Sequence, residues 1–245
     1  MDVSYTDDTD YPRLTKAVQW LIATNVAIFF LQLTVVGAQN MLPALGFRGA
    51  HWFPSASVVH FHRKLIQRVM ATHKLNYAVI QCEAAKWDSH PEIAAPNSIS
   101  KKDLRALVDL CRENFIEPIP LINCPGHAQW LFRNNQNLHL AEDAATPYAY
   151  CVSHPESDVV IKEILSEAIE LFRPRFVHLG HDEVTLRGRF PSPDCPRCQG
   201  RNTTELVLEN TCRLSAWLKE RKIQPVIWGK SKPRSWQRST ASRSL

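Results

Sequence analysis

Residues 176–184 read FVHLGHDEV, a short apolar run and a glycine followed by a histidine and two adjacent carboxylates. Phe176, Val177 and Leu179 have the bulk and spacing of a buried strand, and Gly180 lets the chain turn at its end. Asp182 and Glu183 then fall on the loop that follows. Neighbouring residues of a strand point to opposite faces. The two carboxylates can therefore address one ligand only if the strand has ended and the backbone turns there. In a partly desolvated cleft such neighbours repel, so that one is held protonated near neutral pH while the other stays ionised.

Around this stretch the pattern repeats. AHWF from Ala50, NYAVIQC from Asn76, IEPIPLIN from Ile116, RFVHLG from Arg175 and QPVIWG from Gln224 are strand candidates. Between them apolar residues recur at helical spacing: Phe61, Leu65 and Val69; Leu104, Leu107, Val108, Cys111 and Phe115; Ile164, Leu165, Ala168 and Phe172. Ser153, followed by Pro155 and Glu156, and Asn202, followed by Glu205, mark helix starts of the capping-box kind. Strand and helix in strict succession predict parallel βα units and a sheet covered on both faces.

An open doubly wound sheet and a (β/α)8 barrel both fit that succession. The first strand is not followed by a glycine-rich phosphate loop, which counts against a dinucleotide-binding sheet. Polar residues gather just past the strand ends, at 82–87, 123–127, 181–183 and 228, where a barrel carries its active site. The predicted fold is α/β, a partial (β/α)8 TIM-type barrel of about five βα units over residues 48–229. A closed barrel needs eight strands, and the sequence beyond Trp228 has neither strand nor helix period. An open arc would leave edge backbone groups unpaired and apolar faces wet. A truncated or chimeric chain with a marginally stable barrel half is the expectation.

At 245 residues, 44% of them hydrophobic and 22% charged, the composition is that of a globular chain. The formal net charge of +5 resides in residues 230–245, which hold Lys230, Lys232, Arg234, Arg238 and Arg243 and no acidic residue. Such an end reads as a solvated tail, and no nucleic-acid partner is inferred. The seven cysteines are odd in number, and Cys82, Cys111 and Cys212 stand within apolar segments, which argues against a secreted disulfide framework. Cys195 and Cys198, in PDCPRCQG, have metal-like or redox-like spacing. One CxxC supplies two ligands where structural zinc takes four. The pair therefore reads as an ordinary loop pair, with a metal or disulfide role left open.

From Ala17 to Phe47 no residue is charged, and residues 17–38 are long enough to cross the roughly 30 Å hydrocarbon core as a helix. A transmembrane helix is expected at residues 17–38, within an N-terminal region of residues 1–47, giving membrane association on an unspecified side. The alternatives are a signal peptide, with Val36 and Ala38 at its cleavage site, and a helix buried against the next domain of a cytoplasmic chain. DDTDYPRLTKAVQWLIATNVAIFFLQLTVV also resembles the N-terminal region and first membrane helix of bacterial rhomboid-type intramembrane proteases. It includes none of that family's serine or histidine machinery, so the resemblance implies a membrane helix and no proteolysis.

FVHLGHDEV resembles the His-x-Gly-(Gly)-Asp-Glu signature of family 20 glycoside hydrolases, the β-N-acetylhexosaminidases, in a branch whose second glycine is histidine, here His181. RGAHWF, KLNYAVIQC, IEPIPLINCPGHAQWLF and YCVSHPESDVVIKEILSEAIELF follow in the order seen along the first units of that family's barrel. PGH together with HDEV is a specific combination. The resemblance covers residues 48–229 and implies cleavage of a glycosidic bond in an N-acetylhexosamine-containing glycan or glycoside, without a cofactor. The sugar's own 2-acetamido oxygen would attack C1, Asp182 would orient that group, and Glu183 would act as acid and then base. Arg48, His127, His178 and Trp228 match sugar-binding or acid-supporting positions, and Glu83 matches an acidic residue after the second strand across a different intervening sequence. The family's acetamido-binding tyrosine comes from units after the fifth strand, and Lys230 stands where an acidic residue is usual. Little or no activity is expected from this chain.

Two rivals remain. His178, His181, Asp182 and His127 are proper metal ligands and would make a metal-dependent barrel hydrolase, although the histidine pair His60 and His62 sits on a helical stretch instead. A membrane-tethered fragment without catalysis is the other.

Overall fold

The computed structural model describes residues 46–184 and 190–228. The chain divides into two compact units between Arg48 and Gly49; residues 46–48 are the described part of the first, and the second is the subject from here on. The expected membrane helix at residues 17–38, its alternatives, the rhomboid-like segment and the basic tail lie outside the described residues. Among the described residues no helix is long and apolar enough to cross a membrane.

Five strands form at the five apolar runs: β1 (Gly49–Trp52), β2 (Tyr77–Gln81), β3 (Glu117–Cys124), β4 (Phe176–Gly180) and β5 (Gln224–Val226). Between them run α1 (Val59–Lys64), which continues as a π-helical stretch over Leu65–Met70, then α2 (Lys101–Glu113), α3 (Pro155–Phe172) and α4 (Thr203–Glu220). All neighbouring strands are parallel, in the order β1-β2-β3-β4-β5. That order decides between the two architectures. A doubly wound sheet reverses direction at a switch point, whereas each crossover here steps on to the next strand, as in the wall of a barrel.

Alternation along the strands sorts side chains to two faces. Ala78, Ile80 and Cys82, then Ile122 and Cys124, then Val177 and Leu179 face the helices and join their apolar stripes in one buried cluster. Val79, Ile119 and Leu121 face inward and form a second cluster with Tyr77 and Phe176. The expected wet inner face does not occur, because these three side chains are buried. The arc is curled: the rings of His51 on β1 and Trp228 just past β5 approach to 5.6 Å, so side chains from the two edge strands meet across the hollow.

The helices follow their stripes with instructive exceptions. Ile164, Leu165, Ala168 and Phe172 on α3 are wholly buried, as are Leu104, Leu107, Val108 and Cys111 on α2. Phe115, read as part of the α2 stripe, lies beyond the helix end at φ 58 and is 93% exposed. On α1 the buried line is His62, Ile66 and Met70, one residue round from the expected Phe61, Leu65 and Val69. Both lines have four-residue spacing; the stacking of His62 on Trp52, ring centroids 4.3 Å apart, accompanies the burial of the first. Asn202 caps α4 as read, accepting from the backbone N–H of Thr204 and Glu205. The cap of α3 is His154 rather than Ser153, because Pro155 takes the first helical position and leaves the cap to its immediate predecessor.

Candidate active site

The inward parity of the strands continues past their ends, and polar residues take over there. Gln81 at the end of β2 and Glu83 just beyond it, Asn123 near the end of β3, His127 and Asp182 from the loops, and Trp228 line one cavity of about 410 Å³. Its floor is a buried acid. Gln81 Nε2 donates to Glu83 Oε1 at 2.5 Å and Asn123 Nδ2 donates to the same oxygen at 3.2 Å, while Glu83 Oε2 has no hydrogen-bond partner among the described residues. Burial pushes the Glu83 carboxyl up to about 7, against the pull of these donors and of Arg133. It is poised between its two protonation states at neutral pH. His51 Nε2 donates to Gln81 Oε1 at 3.1 Å, linking β1 to this floor.

The backbone turns where the acid pair requires it. Gly180 has φ +75, and a Cβ on it would meet Asn123 Oδ1 at 2.4 Å; glycine alone fits both the conformation and the space. His181 and Glu183 also have positive φ, 66 and 47, and the His181 N–H donates to the Cys124 carbonyl at 3.0 Å. The loop thereby folds back over the end of β3. A Cβ at Gly126 would lie 3.2 Å from Val184 Cα, so the glycine of PGH permits close approach of the two loops. Both carboxylates consequently reach one ring: His127 Nε2 is 3.3 Å from Glu183 Oε2 and 3.8 Å from Asp182 Oδ2. Asp182 lines the cavity, and Glu183 sits at its rim, its side chain 57% exposed.

The two remaining histidines do other work. His178 is buried, its Nδ1 accepting from the Gly180 N–H at 3.0 Å and its ring 4.2 Å from that of Trp228. Expected around the acid pair, it lies instead under the aromatic wall, because inward parity on β4 directs it beneath Trp228. Burial, with His51 and His181 nearby, holds it down at about 4, so it is neutral. His181 Nδ1 donates to the Leu179 carbonyl at 3.2 Å, and burial holds it at about 4 as well. The metal-hydrolase reading fails here: among the described residues His127, His178, His181 and Asp182 do not converge as a ligand group. Arg48 directly precedes β1.

Sequence reasoning missed Gln81 and Tyr148. Gln81 is two residues before Glu83, so strand parity alone gives its direction. Tyr148 donates its hydroxyl to the Glu183 carbonyl at 2.9 Å and meets the His127 ring edge-on at 5.3 Å; nothing local in the sequence signals a contact across 35 positions.

A curled parallel sheet, with a turned carboxylate pair beside one histidine at the C-terminal ends of its strands, defines an α/β domain with an acid-pair site, consistent with part of a TIM-type barrel. The sequence model of glycosyl hydrolase family 20, catalytic domain, matches residues 75–241, and the chain belongs to this family. It is similar to the β-N-acetylhexosaminidase of Bacteroides fragilis NCTC 9343, with a TM-score of 0.61 and 18% identity over 76% of this chain and 44% of that one. The Flavobacterium johnsoniae chitobiase gives a TM-score of 0.64 at 20% identity, covering 74% and 31%. These likenesses establish the fold. Among curated relatives, Bifidobacterium bifidum lacto-N-biosidase is 27% identical over 124 residues, 49% of this chain and 11% of that protein. Human hexosaminidase D is 24% identical over 140 residues, 56% and 29%. The chain thus spans less than a third of the length of these curated relatives.

Proposed function

We propose that this domain carries β-N-acetylhexosaminidase chemistry, hydrolysing a terminal N-acetylhexosamine of a glycan or glycoside with retention of configuration. The supporting observation is the convergence of Asp182 and Glu183 on His127 at the mouth of a polar-floored cavity. The sugar's acetamido oxygen attacks C1 as the bond to the leaving oxygen breaks, and Glu183 gives that oxygen its proton. Asp182 orients the acetamido N–H and offsets the positive charge that develops on the oxazolinium ring. Water, deprotonated by Glu183, then opens the ring at C1 and restores the acid. No enzyme nucleophile takes part. Glu83 and Trp228 bind the sugar, His127 stands beside the two carboxylates, and His178 supports Trp228; Arg48 is assigned to the sugar by its place in the family's sequence motif alone.

Release of the aryl group from an aryl N-acetyl-β-glucosaminide tests the reading. Glu183→Gln and Asp182→Asn are each expected to lower kcat by about 10²–10⁴-fold, with the anomeric configuration of the product retained by NMR. No turnover by this chain, with turnover gained on adding βα units past β5, would mark it as a non-catalytic fragment. No turnover in the extended chain either would sink the proposal. Residues 17–38 would tether the domain to a membrane; sedimentation of the whole chain with membranes, and its loss on deleting residues 1–47, is the corresponding check.

A further inference from the structure

Away from the cavity, a second cluster of reactive groups is buried. One ligating atom each from Glu142, Cys151, Cys195 and Cys198 lies within 4.8 Å of the others, and all four residues are buried. The Cys151 sulfur is 3.6 Å from that of Cys198 and 3.5 Å from that of Cys195. A tetrahedral zinc ion with Zn–S bonds of about 2.3 Å puts its sulfur ligands about 3.8 Å apart. A disulfide needs about 2.05 Å, and pairing any two of these three cysteines would leave the third thiol and the carboxylate stranded. The spacing is that of ligands around an ion.

The carboxylate gives an independent indication. Glu142 is 2% exposed; its Oε2 accepts from the Ser192 N–H at 3.0 Å, while its Oε1 is buried and, among the described residues, meets no nitrogen or oxygen donor, the carboxyl facing the thiols of Cys198 and Cys195. Among the described residues it forms no ion pair with lysine, arginine or histidine. A buried carboxylate oxygen without a partner is costly, and coordination to an ion in the cluster would give it a direct one.

The backbone around the cluster is built to hold these groups in place. Ala141 and Tyr150 form an antiparallel bridge, the Glu142 N–H donates to the Ala149 carbonyl at 3.0 Å and the Cys151 N–H to the Leu140 carbonyl at 2.7 Å. Glu142 and Cys151 are thus held side by side by main-chain bonds. Cys195 and Cys198 stand on a tight turn in which the Cys195 carbonyl accepts from the N–H groups of Cys198 and Gln199. The Ser153 hydroxyl lies 3.5 Å from the Cys198 sulfur and accepts from Arg201 at 3.0 Å, bringing positive charge up behind the thiolates.

We propose that Glu142, Cys151, Cys195 and Cys198 bind a structural zinc ion. Three thiol protons pass to solvent as the thiolates bind the ion, and the four protein ligands leave no open position for water or substrate, so the site is not catalytic. Sulfur donors disfavour magnesium and calcium, and a mixed thiolate and carboxylate set suits zinc. The ion would clamp the β3–α3 connection to the β4–α4 connection, the loop that begins with the acid pair. Tyr148, between Glu142 and Cys151 in the chain, already bonds the Glu183 carbonyl, so the clamp would brace that loop from behind.

The whole chain, purified under reducing conditions from zinc-supplemented medium, should carry about one zinc ion per molecule by elemental analysis. Cobalt(II) in its place should give the near-ultraviolet thiolate-to-metal charge-transfer band of a tetrahedral sulfur site. Cys195→Ser and Glu142→Gln should lower zinc content severalfold, whereas Cys212→Ser, at an exposed thiol, should leave it unchanged. If the variants fail to fold, metal content and the cobalt spectrum of the unaltered chain still decide. Zinc-free folded chain after zinc supply, or a disulfide between any two of the three cysteines by mass spectrometry, would overturn the proposal.

Discussion

Gly180 makes the site possible through what it lacks. An alanine there would combine a left-handed backbone with a Cβ set 2.4 Å from Asn123 Oδ1, displacing the amide that holds Glu83. Gly180→Ala is expected to cost about 1–3 kcal/mol, read as a lowered urea midpoint. Titration gives a second prediction at this scale. Glu83 has a folded-state pKa of about 7 against an ordinary 4.5, so its contribution to stability is full below 4.5 and lost as pH rises through 7. His178 and His181, at about 4 against 6.5, act oppositely: their contribution is present above 6.5 and lost as pH falls through 4. Burial also holds up Glu142, which acts as Glu83 does, and holds down His51, His62 and His154, which act as the two histidines do. Five histidines outnumber two glutamates, so stability should fall on acidification from pH 6.5 to 4, by at most about 3 kcal/mol per buried histidine. Glu83→Gln should make that fall steeper and move the stability maximum to higher pH, as measured by urea unfolding across pH.

Among the elements, strands were the most legible, since each is a short apolar run and parallel pairing buries both of its faces. Helix faces were less so. On α1 two adjacent lines share the same spacing, and a stack between His62 and Trp52, distant from any hydropathy pattern, goes with the buried one. Caps divide the same way. Asn202 was readable because its side chain acts on its own following residues, and Asn202→Ala should destabilise the chain by about 1 kcal/mol, visible as a lower thermal midpoint. The α3 cap moved by one residue because a proline outranked a serine. Cys212, which stands within an apolar segment of the sequence, is exposed on α4.

In the whole molecule, five strands curl far enough for β1 and β5 to meet through His51 and Trp228. Trp228→Ala should therefore weaken the fold as well as the cavity wall, by about 2 kcal/mol or more, measurable in unfolding by denaturant even where no sugar is present. The sequence alone determined the strand succession, the parallel sheet and the loop bearing Asp182 and Glu183, because each depends on residues adjacent along the chain. Tertiary structure decided that His127 meets both carboxylates, that His178 lies under Trp228, and that Tyr148 reaches Glu183. It also decided the fate of the CxxC: by sequence Cys195 and Cys198 are two ligands short, and the missing pair, Glu142 and Cys151, comes from a loop more than forty residues away. Local order follows from periodicity and backbone preference, whereas a site assembled from separate loops exists only once the crossovers have brought those loops to one end of the sheet.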